Sequence, residues 1–254
     1  MITLIGSGNV ATWIALRLRH SQAFRIGQVF SRHIEHARAV ANLSGAEAID
    51  NLSQLDPHSD LYLFSLCDDV YPEVMAQLPF ELSVALHTAG SVSQNIFIHH
   101  AQNYGVLYPL QTFTRTADLE NLTAPLCIEN THLGNATEMV YQLAAELSDT
   151  YCVMDEKQRT ALHVAAVFAC NFSNAMFTIA DDLLKKQNTN IQLLLPLIQQ
   201  TVDKLKIMSP AEAQTGPARR VDRLVMARQL LSLPDEQMQE IYRAVSDFIL
   251  KEPY

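Results

Sequence analysis

The chain has 254 residues, 48% of them hydrophobic and 18% charged, with a formal net charge of -9. That balance belongs to an ordinary globular protein with a sizeable core, in one large domain or two modest ones. It excludes a nucleic-acid partner, because phosphate contact rests on clustered Lys and Arg and no such basic run occurs.

Residues 2–5 (Ile-Thr-Leu-Ile) form a short apolar run closed by Gly6, the pattern of a buried parallel strand. Asn9 to His20 then carries apolar residues at helical spacing: Val10, Trp13, Ile14, Leu16 and Leu18. Arg25 to Ser31 reads as a second strand, and Ile34 to Leu43 as a second helix ending near Gly45. A weak strand at Glu47 to Ile49 precedes a strong one at Asp60 to Leu66; Val84 to His87 and Gly105 to Leu107 come next. Strands alternating with helices at this spacing imply a parallel, doubly wound sheet. Pro125 to Glu129 and Thr150 to Met154 are further strand candidates, separated by a helix near Ala136 to Leu147. Beyond Asp155 only helical periods remain, with breaks at 187–189, 209–210, 216–217 and Pro234. The expected class is α/β, with a doubly wound sheet over 1–154 and an all-helical domain over 155–254.

Cys67, Cys127, Cys152 and Cys170 are far apart in sequence and form no CxxC pair. This suits buried thiols in a reducing compartment rather than zinc or a disulfide framework. The N-terminus runs straight into a strand and lacks the regions of a signal peptide, so a cytoplasmic location is expected. Thr160 to Ala180 is uncharged for 21 residues, the length of a membrane span. It contains His163, Asn171, Ser173 and Asn174, so no membrane partner is expected, and a helix buried in a core or a dimer fits it better.

Gly6-Ser7-Gly8-Asn9-Val10-Ala11 is GxGxxA, directly after a strand and opening a helix. The first glycine allows the tight turn and the second lets backbone approach a pyrophosphate. The small third residue lets helix and sheet pack closely. N–H groups at the helix N-terminus then face the phosphates. A dinucleotide is therefore expected on Gly6, Ser7, Gly8, Asn9 and Val10. Cofactors of the NAD type usually meet an acid at the end of the second strand. Here Ser31-Arg32-His33 stands there instead, and a hydroxyl and a guanidinium suit the 2'-phosphate of NADP.

Ligands of such sheets bind beyond the C-terminal ends of the strands. That rule nominates Leu66, Cys67 and Asp68 after one strand, and His87, Thr88 and Ala89 after the next. It also nominates Tyr108 to Phe113 after a third. Asp68 can equally serve as a helix cap, and His87 as a core histidine held by one hydrogen bond. In the helical half, His163, Asn171 and Asn174 interrupt an apolar helix and need hydrogen-bond partners, from protein or ligand. On helix geometry His163 and Asn171 stand about 12 Å apart, so they are no compact pair. Arg219 and Arg220, beside the Thr215-Gly216-Pro217 turn, are expected to pair with Asp222 and Asp203 at the surface.

Together these motifs resemble the Rossmann-like proteins with a DUF2520 C-terminal domain, often labelled NADP- or coenzyme-F420-dependent oxidoreductases. These are relatives of pyrroline carboxylate reductase and the 6-phosphogluconate dehydrogenase superfamily. The resemblance is carried by the glycine loop, His87-Thr88-Ala89-Gly90-Ser91 and Tyr108-Pro109-Leu110-Gln111-Thr112-Phe113. His163 to Asn171 and Thr215-Gly216-Pro217 complete it. It implies a Rossmann domain, a helical dimerisation domain and a homodimer. Three positions depart from the family pattern: Tyr108 replaces a histidine, Cys170 a serine and Val221 a glycine.

The expected function is NADPH-dependent reduction of a small carbonyl or imine in the interdomain cleft. His163 would be the first proton donor and His87 the second, with Asn171 orienting the substrate. The alternative is a non-catalytic NADP(H)-binding sensor or scaffold. A coenzyme F420 enzyme rests on the family label alone.

Overall fold

The computed structural model describes residues 1–114 and 118–251. Eight strands form one sheet in the order β3-β2-β1-β4-β5-β6-β7-β8. They are β1 Ile2–Ile5, β2 Ile26–Phe30, β3 Glu47–Ile49, β4 Leu61–Phe64, β5 Leu82–His87, β6 Ala101–Pro109, β7 Leu126–His132 and β8 Tyr151–Val153. The first six are parallel throughout and follow the 3-2-1-4-5-6 order of dinucleotide-binding sheets. The strand expected at 105–107 extends over nine residues. β7 departs from the parallel plan, running antiparallel to β6, with β8 parallel to β7. A parallel return needs a crossover element, and the described residues between Pro109 and Leu126 contain no helix to supply one.

Helices α1 Asn9–Leu18, α2 Ile34–Ser44, α3 Tyr71–Ala76 and α4 Thr137–Leu147 cover the sheet. Strand residues alternate between two apolar layers. Leu61, Leu63, Val84 and Leu86 join Trp13, Ile14, Val140 and Leu143 on one face. On the other, Tyr62, Phe64 and Ala85 pack with Tyr71, Val74 and Phe97.

Two compact units are present, Met1–Cys170 and Asn171–Tyr254. The sheet unit therefore runs past the expected division at 154 and takes in α5, Glu156–Ala166. Asp155 opens that helix with a reciprocal capping box: its side chain accepts from the Gln158 N–H at 2.8 Å, and Gln158 accepts from the Asp155 N–H at 3.0 Å. One turn in, Arg159 is fully buried. Its Nε donates to Glu129 Oε2 at 3.2 Å. Its Nη1 donates to the Ala89 and Gly90 carbonyls at 3.3 and 2.6 Å, and its Nη2 to Val92 O at 2.8 Å. Gln94 donates to the second Glu129 oxygen at 2.6 Å. A guanidinium so fully engaged ties α5 to β7 and to the segment after β5.

A π-helical turn at Val167–Phe172 continues α5, and the helical run Glu156–Lys185 is long and apolar enough to cross a membrane by length and composition. The second unit contains helices only: α6 Ser173–Lys185, α7 Leu195–Lys204, α8 Pro210–Ala213, α9 Arg223–Ser232 and α10 Glu236–Lys251. Its Thr215-Gly216-Pro217 turn leads to Asp222, whose carboxylate accepts from the Val225 N–H at 3.1 Å and caps α9. Asp203 pairs with Lys206 at 2.6 Å. Val221 holds φ at 55°, the left-handed conformation that glycine would adopt there. A β-branched residue is strained in it.

Arg159→Met should cost about 3–5 kcal/mol in urea unfolding at neutral pH, because it strands one charge of a buried pair. Burial already raises the Glu129 carboxyl above its usual range, against the pull of Arg159. With the guanidinium gone, the folded state holds the Glu129 proton more tightly than the unfolded chain does. The deficit should therefore narrow as pH falls toward 4.5, the ordinary glutamate value; a pH-independent deficit would contradict this account. Val221→Gly should stabilise the chain by about 1 kcal/mol, relief of left-handed strain exceeding the entropy cost of glycine.

Candidate functional site

The glycine loop leaves β1 and opens α1 at the C-terminal edge of the sheet. Gly6 has φ of 124°, and a Cβ there would lie 2.1 Å from Ser65 O, so both conformation and space require glycine. Gly8 is different. A Cβ on it would meet nothing within 4 Å, so the fold leaves open space where a phosphate would approach the backbone. No side chain caps α1, and its first turn holds no acid. The N–H groups and the positive end of the helix dipole remain available to an anion. Ala11 is fully buried, giving the close helix–sheet packing that the small third residue allows.

A cavity of about 460 Å³ opens here, lined by Gly6 to Val10, Ser31, Arg32, Leu66, Cys67, Thr88 and Phe113 among others. Ser7 Oγ donates to Ser31 Oγ at 2.9 Å, which joins the glycine loop to the end of β2. Asn9 Nδ2 donates to Phe113 O at 3.1 Å. Arg32 is exposed and only loosely paired with Glu73, at 3.6 Å. His33 and His36, which the sequence did not nominate, line the same rim with ring centroids 5.3 Å apart. Three nominated residues, Asp68, His87 and Ala89, lie off the lining. Asp68 accepts a hydrogen bond from Ser91 Oγ, and it follows the cap position rather than occupying it. The Ala89 N–H donates to His87 Nδ1 at 3.2 Å.

The structure buries His87 in the core. It is fully buried at the end of β5, with Tyr71 and Phe97 rings 5.7 and 5.8 Å away. Burial, with Arg159 nearby, pushes its imidazole down to about 3, so the ring stays neutral across the physiological range. Its Nε2 has no hydrogen-bond partner among the described residues. Thr88 also has a framework role, since its hydroxyl donates to Phe64 O at 3.3 Å.

His163 meets the motif residue Tyr108 instead. Tyr108 Oη and His163 Nδ1 are 3.0 Å apart, with the two rings edge-on at 5.7 Å. The imidazole rests on Gly90, where a Cβ would come within 2.3 Å of Nδ1. Only bare backbone leaves room for it. Burial raises the Tyr108 phenol above its ordinary value, with Arg159 opposing. The phenol can donate to Nδ1 or accept from it, according to which imidazole nitrogen carries the proton. Asn171 is an exposed residue of the π-helical turn and falls in the second unit. That unit has an apolar cavity of about 320 Å³, lined by Met176, Leu183, Pro217, Tyr242 and Ser246 among others. Tyr242 donates to Gln229 at 2.7 Å.

Residues 124–249 match the family model described as a domain of unknown function, DUF2520. A search of curated proteins finds no match. Among solved structures, the "putative NADP oxidoreductase" of Bacteroides fragilis is 38% identical, with TM-score 0.89, covering 99% of this chain and 98% of that one. A reductive aminase from Aspergillus terreus, in complex with NADPH4, cyclohexanone and allyl amine, has TM-score 0.71 at 17% identity, covering 98% and 91%. The 1-pyrroline-5-carboxylate reductase of Streptococcus pyogenes has TM-score 0.62 at 14% identity, covering 98% and 96%. The last two share the fold alone. With its nucleotide-binding sheet, its helical second unit and near full-length identity of 38% to the Bacteroides protein, this chain belongs to the Rossmann-like family with a DUF2520 domain.

Proposed function

We propose that the chain is an NADPH-dependent reductase of a small carbonyl or imine. The observation that carries the reading is the Tyr108–His163 hydrogen bond beside Gly90, two residues beyond the Thr88 that lines the dinucleotide cavity. Gly6 to Val10 would hold the pyrophosphate, and Ser31 and Arg32 the 2'-phosphate, with His36 on the same rim. When bound, the dihydronicotinamide supplies the hydride. The chain supplies the matching proton: Tyr108 and His163 hold it at Oη and on the imidazole, ready for the oxygen or nitrogen that gains charge as its carbon is reduced. Proton and hydride together turn C=O into an alcohol or C=N into an amine.

Two of the three altered motif positions leave the local geometry in place. Tyr108 reaches His163, and Val221 keeps the glycine-like backbone. A second copy of the chain is the partner we assign to the helical unit, which exposes Ile207, Leu231, Leu224 and Phe248 at 80, 83, 74 and 65%. So much exposed apolar surface marks an interaction face.

Titration with NADPH and, separately, NADH tests the cofactor. Trp13 is the sole tryptophan, buried with its ring 5.5 Å from the cavity-lining Phe113, so its fluorescence reports the site. Saturable quenching tighter for NADPH is expected. Arg32→Ala should narrow the preference about tenfold or more, given the strength of charge-assisted phosphate contacts. Gly8→Ala should weaken both nucleotides while costing about 1 kcal/mol or less of stability. Absence of binding by calorimetry as well would end the reductase reading. With a substrate found by screening keto acids and imines, Tyr108→Phe and His163→Gln should each lower kcat about 10²- to 10⁴-fold. Nucleotide affinity should stay unchanged in both. A protein that binds NADPH but oxidises none of it across the screen is a sensor.

A further inference from the structure

Cys127 and Cys152 are distant in sequence, but the sheet sets them side by side. β7 and β8 pair in parallel with Cys127 opposite Cys152. Residues in register on neighbouring strands project to the same face, with Cα atoms about 4.8 Å apart. That lies inside the range a disulfide spans, roughly 4.4–6.8 Å. Burial, with Cys152 alongside, pushes the Cys127 thiol up to about 12. Cys152 is exposed on the outermost strand, its Sγ donating to Leu126 O at 3.7 Å, whereas Cys127 is 1% exposed. Cys67 and Cys170 are exposed as well, so the expectation of buried thiols holds for Cys127 alone.

The row continues inward. On its other side Cys127 pairs in antiparallel register with Tyr108. Cys127, Tyr108 and Val106 form one small buried cluster, bordered by Leu110, Met154 and Leu162. Cys152, Cys127, Tyr108 and His163 therefore follow one another across a single face of the sheet, from the accessible edge to the phenol–imidazole pair.

We propose that Cys127 and Cys152 are a peroxide-oxidation site that closes into a disulfide between β7 and β8 and so alters the packing of Tyr108. In the first step the Cys152 sulfur attacks a peroxide oxygen. An S–O bond forms, the O–O bond breaks, two electrons pass from sulfur to oxygen, and water leaves. In the second step the Cys127 sulfur attacks the sulfenic sulfur. An S–S bond forms, the S–O bond breaks, and a second water carries away the Cys127 proton. Closure draws the Cys127 sulfur to about 2.05 Å from that of Cys152. It leaves the place where it packs against the Tyr108 ring, and the phenol that meets His163 gains room to move. The oxidant is hydrogen peroxide, and an ordinary dithiol reduces the disulfide back to two thiols.

The test uses the full chain in a Cys67→Ser, Cys170→Ser background, treated with one equivalent of hydrogen peroxide and then alkylated after unfolding. The expected result is loss of both remaining free thiols, a mass lower by two hydrogens, and a peptide joining Cys127 to Cys152 that dithiothreitol releases. Cys152→Ser in the same background should form no cross-link and keep its single thiol. Conversion of Cys152 to the sulfinic acid with Cys127 still free would overturn the proposal. The coupling to Tyr108 is read from the ring NMR signals of His163, assigned by their loss in His163→Gln. They should move on oxidation and return on reduction, and stay fixed in peroxide-treated Cys152→Ser. A disulfide that leaves them unmoved would overturn the coupling. Mass, thiol count and ring signals need no turnover, so they stand apart from the reductase reading.

Discussion

The buried Arg159 guanidinium is the constraint on which the sheet unit's functional edge depends. A charge with no exposure to water is tolerable only when it is paired and its donors are filled, and here Glu129 and three backbone carbonyls do both. Those carbonyls belong to the segment after β5, which otherwise would be a loop held by its ends. Their capture turns Ala89 to Val92 into a fixed ledge, and it fixes the helix that carries Arg159 at the same time. His163 stands one turn further along that helix, on the same side. Its seat on Gly90 and its reach to Tyr108 both follow from where Arg159 is anchored. A single ionic knot thus sets the spacing of the site through its hold on the Gly90 carbonyl.

The two glycines of the phosphate loop divide structural from functional necessity. Gly6 answers to the fold, since Ser65 O leaves it no Cβ and its φ is positive. At Gly8 no described residue occupies the space a Cβ would take, and a side chain would be accommodated. That the motif is glycine there makes sense only if something else must come close to the backbone. Read in the same way, Ser31 is committed to Ser7, while the Arg32 guanidinium is held only by a long, exposed contact. Such a contact is worth little and is readily exchanged for a better anion.

Sequence reasoning recovered the parts of this molecule whose signals are local. The first strand and glycine loop stand out because apolar residues run unbroken to Gly6, and the apolar stripe of α1 follows at once. Direction is not local: alternation of side chains is the same for parallel and antiparallel strands, so the reversal at β7 left no mark in the residues themselves. The polar start of β6, Gln102 and Asn103, also hid four residues of that strand. Arg159 was passed over because it sits in a run, Glu156 to Thr160, that reads as an exposed first turn of helix; its importance lies in Glu129, thirty positions away. His163 was visible as a polar break in an apolar helix, yet its partner came from another strand. His87 was ambiguous for a physical reason. A histidine ending a buried strand has the same neighbours in sequence whether it faces the core or a ligand, and only the rings of Tyr71 and Phe97 around it decide.

The short segment from Thr88 to Gly90 has two ends with different work. Thr88 borders the nucleotide cavity, and Gly90 is the floor beneath the His163 ring. Only Ala89 separates them, and Arg159 holds it by its carbonyl. Grip on the nucleotide and aim of the imidazole are therefore two readings of one stiff piece of main chain. The cavity wall and the floor of the imidazole thus share three consecutive residues, held in place by the Arg159 guanidinium.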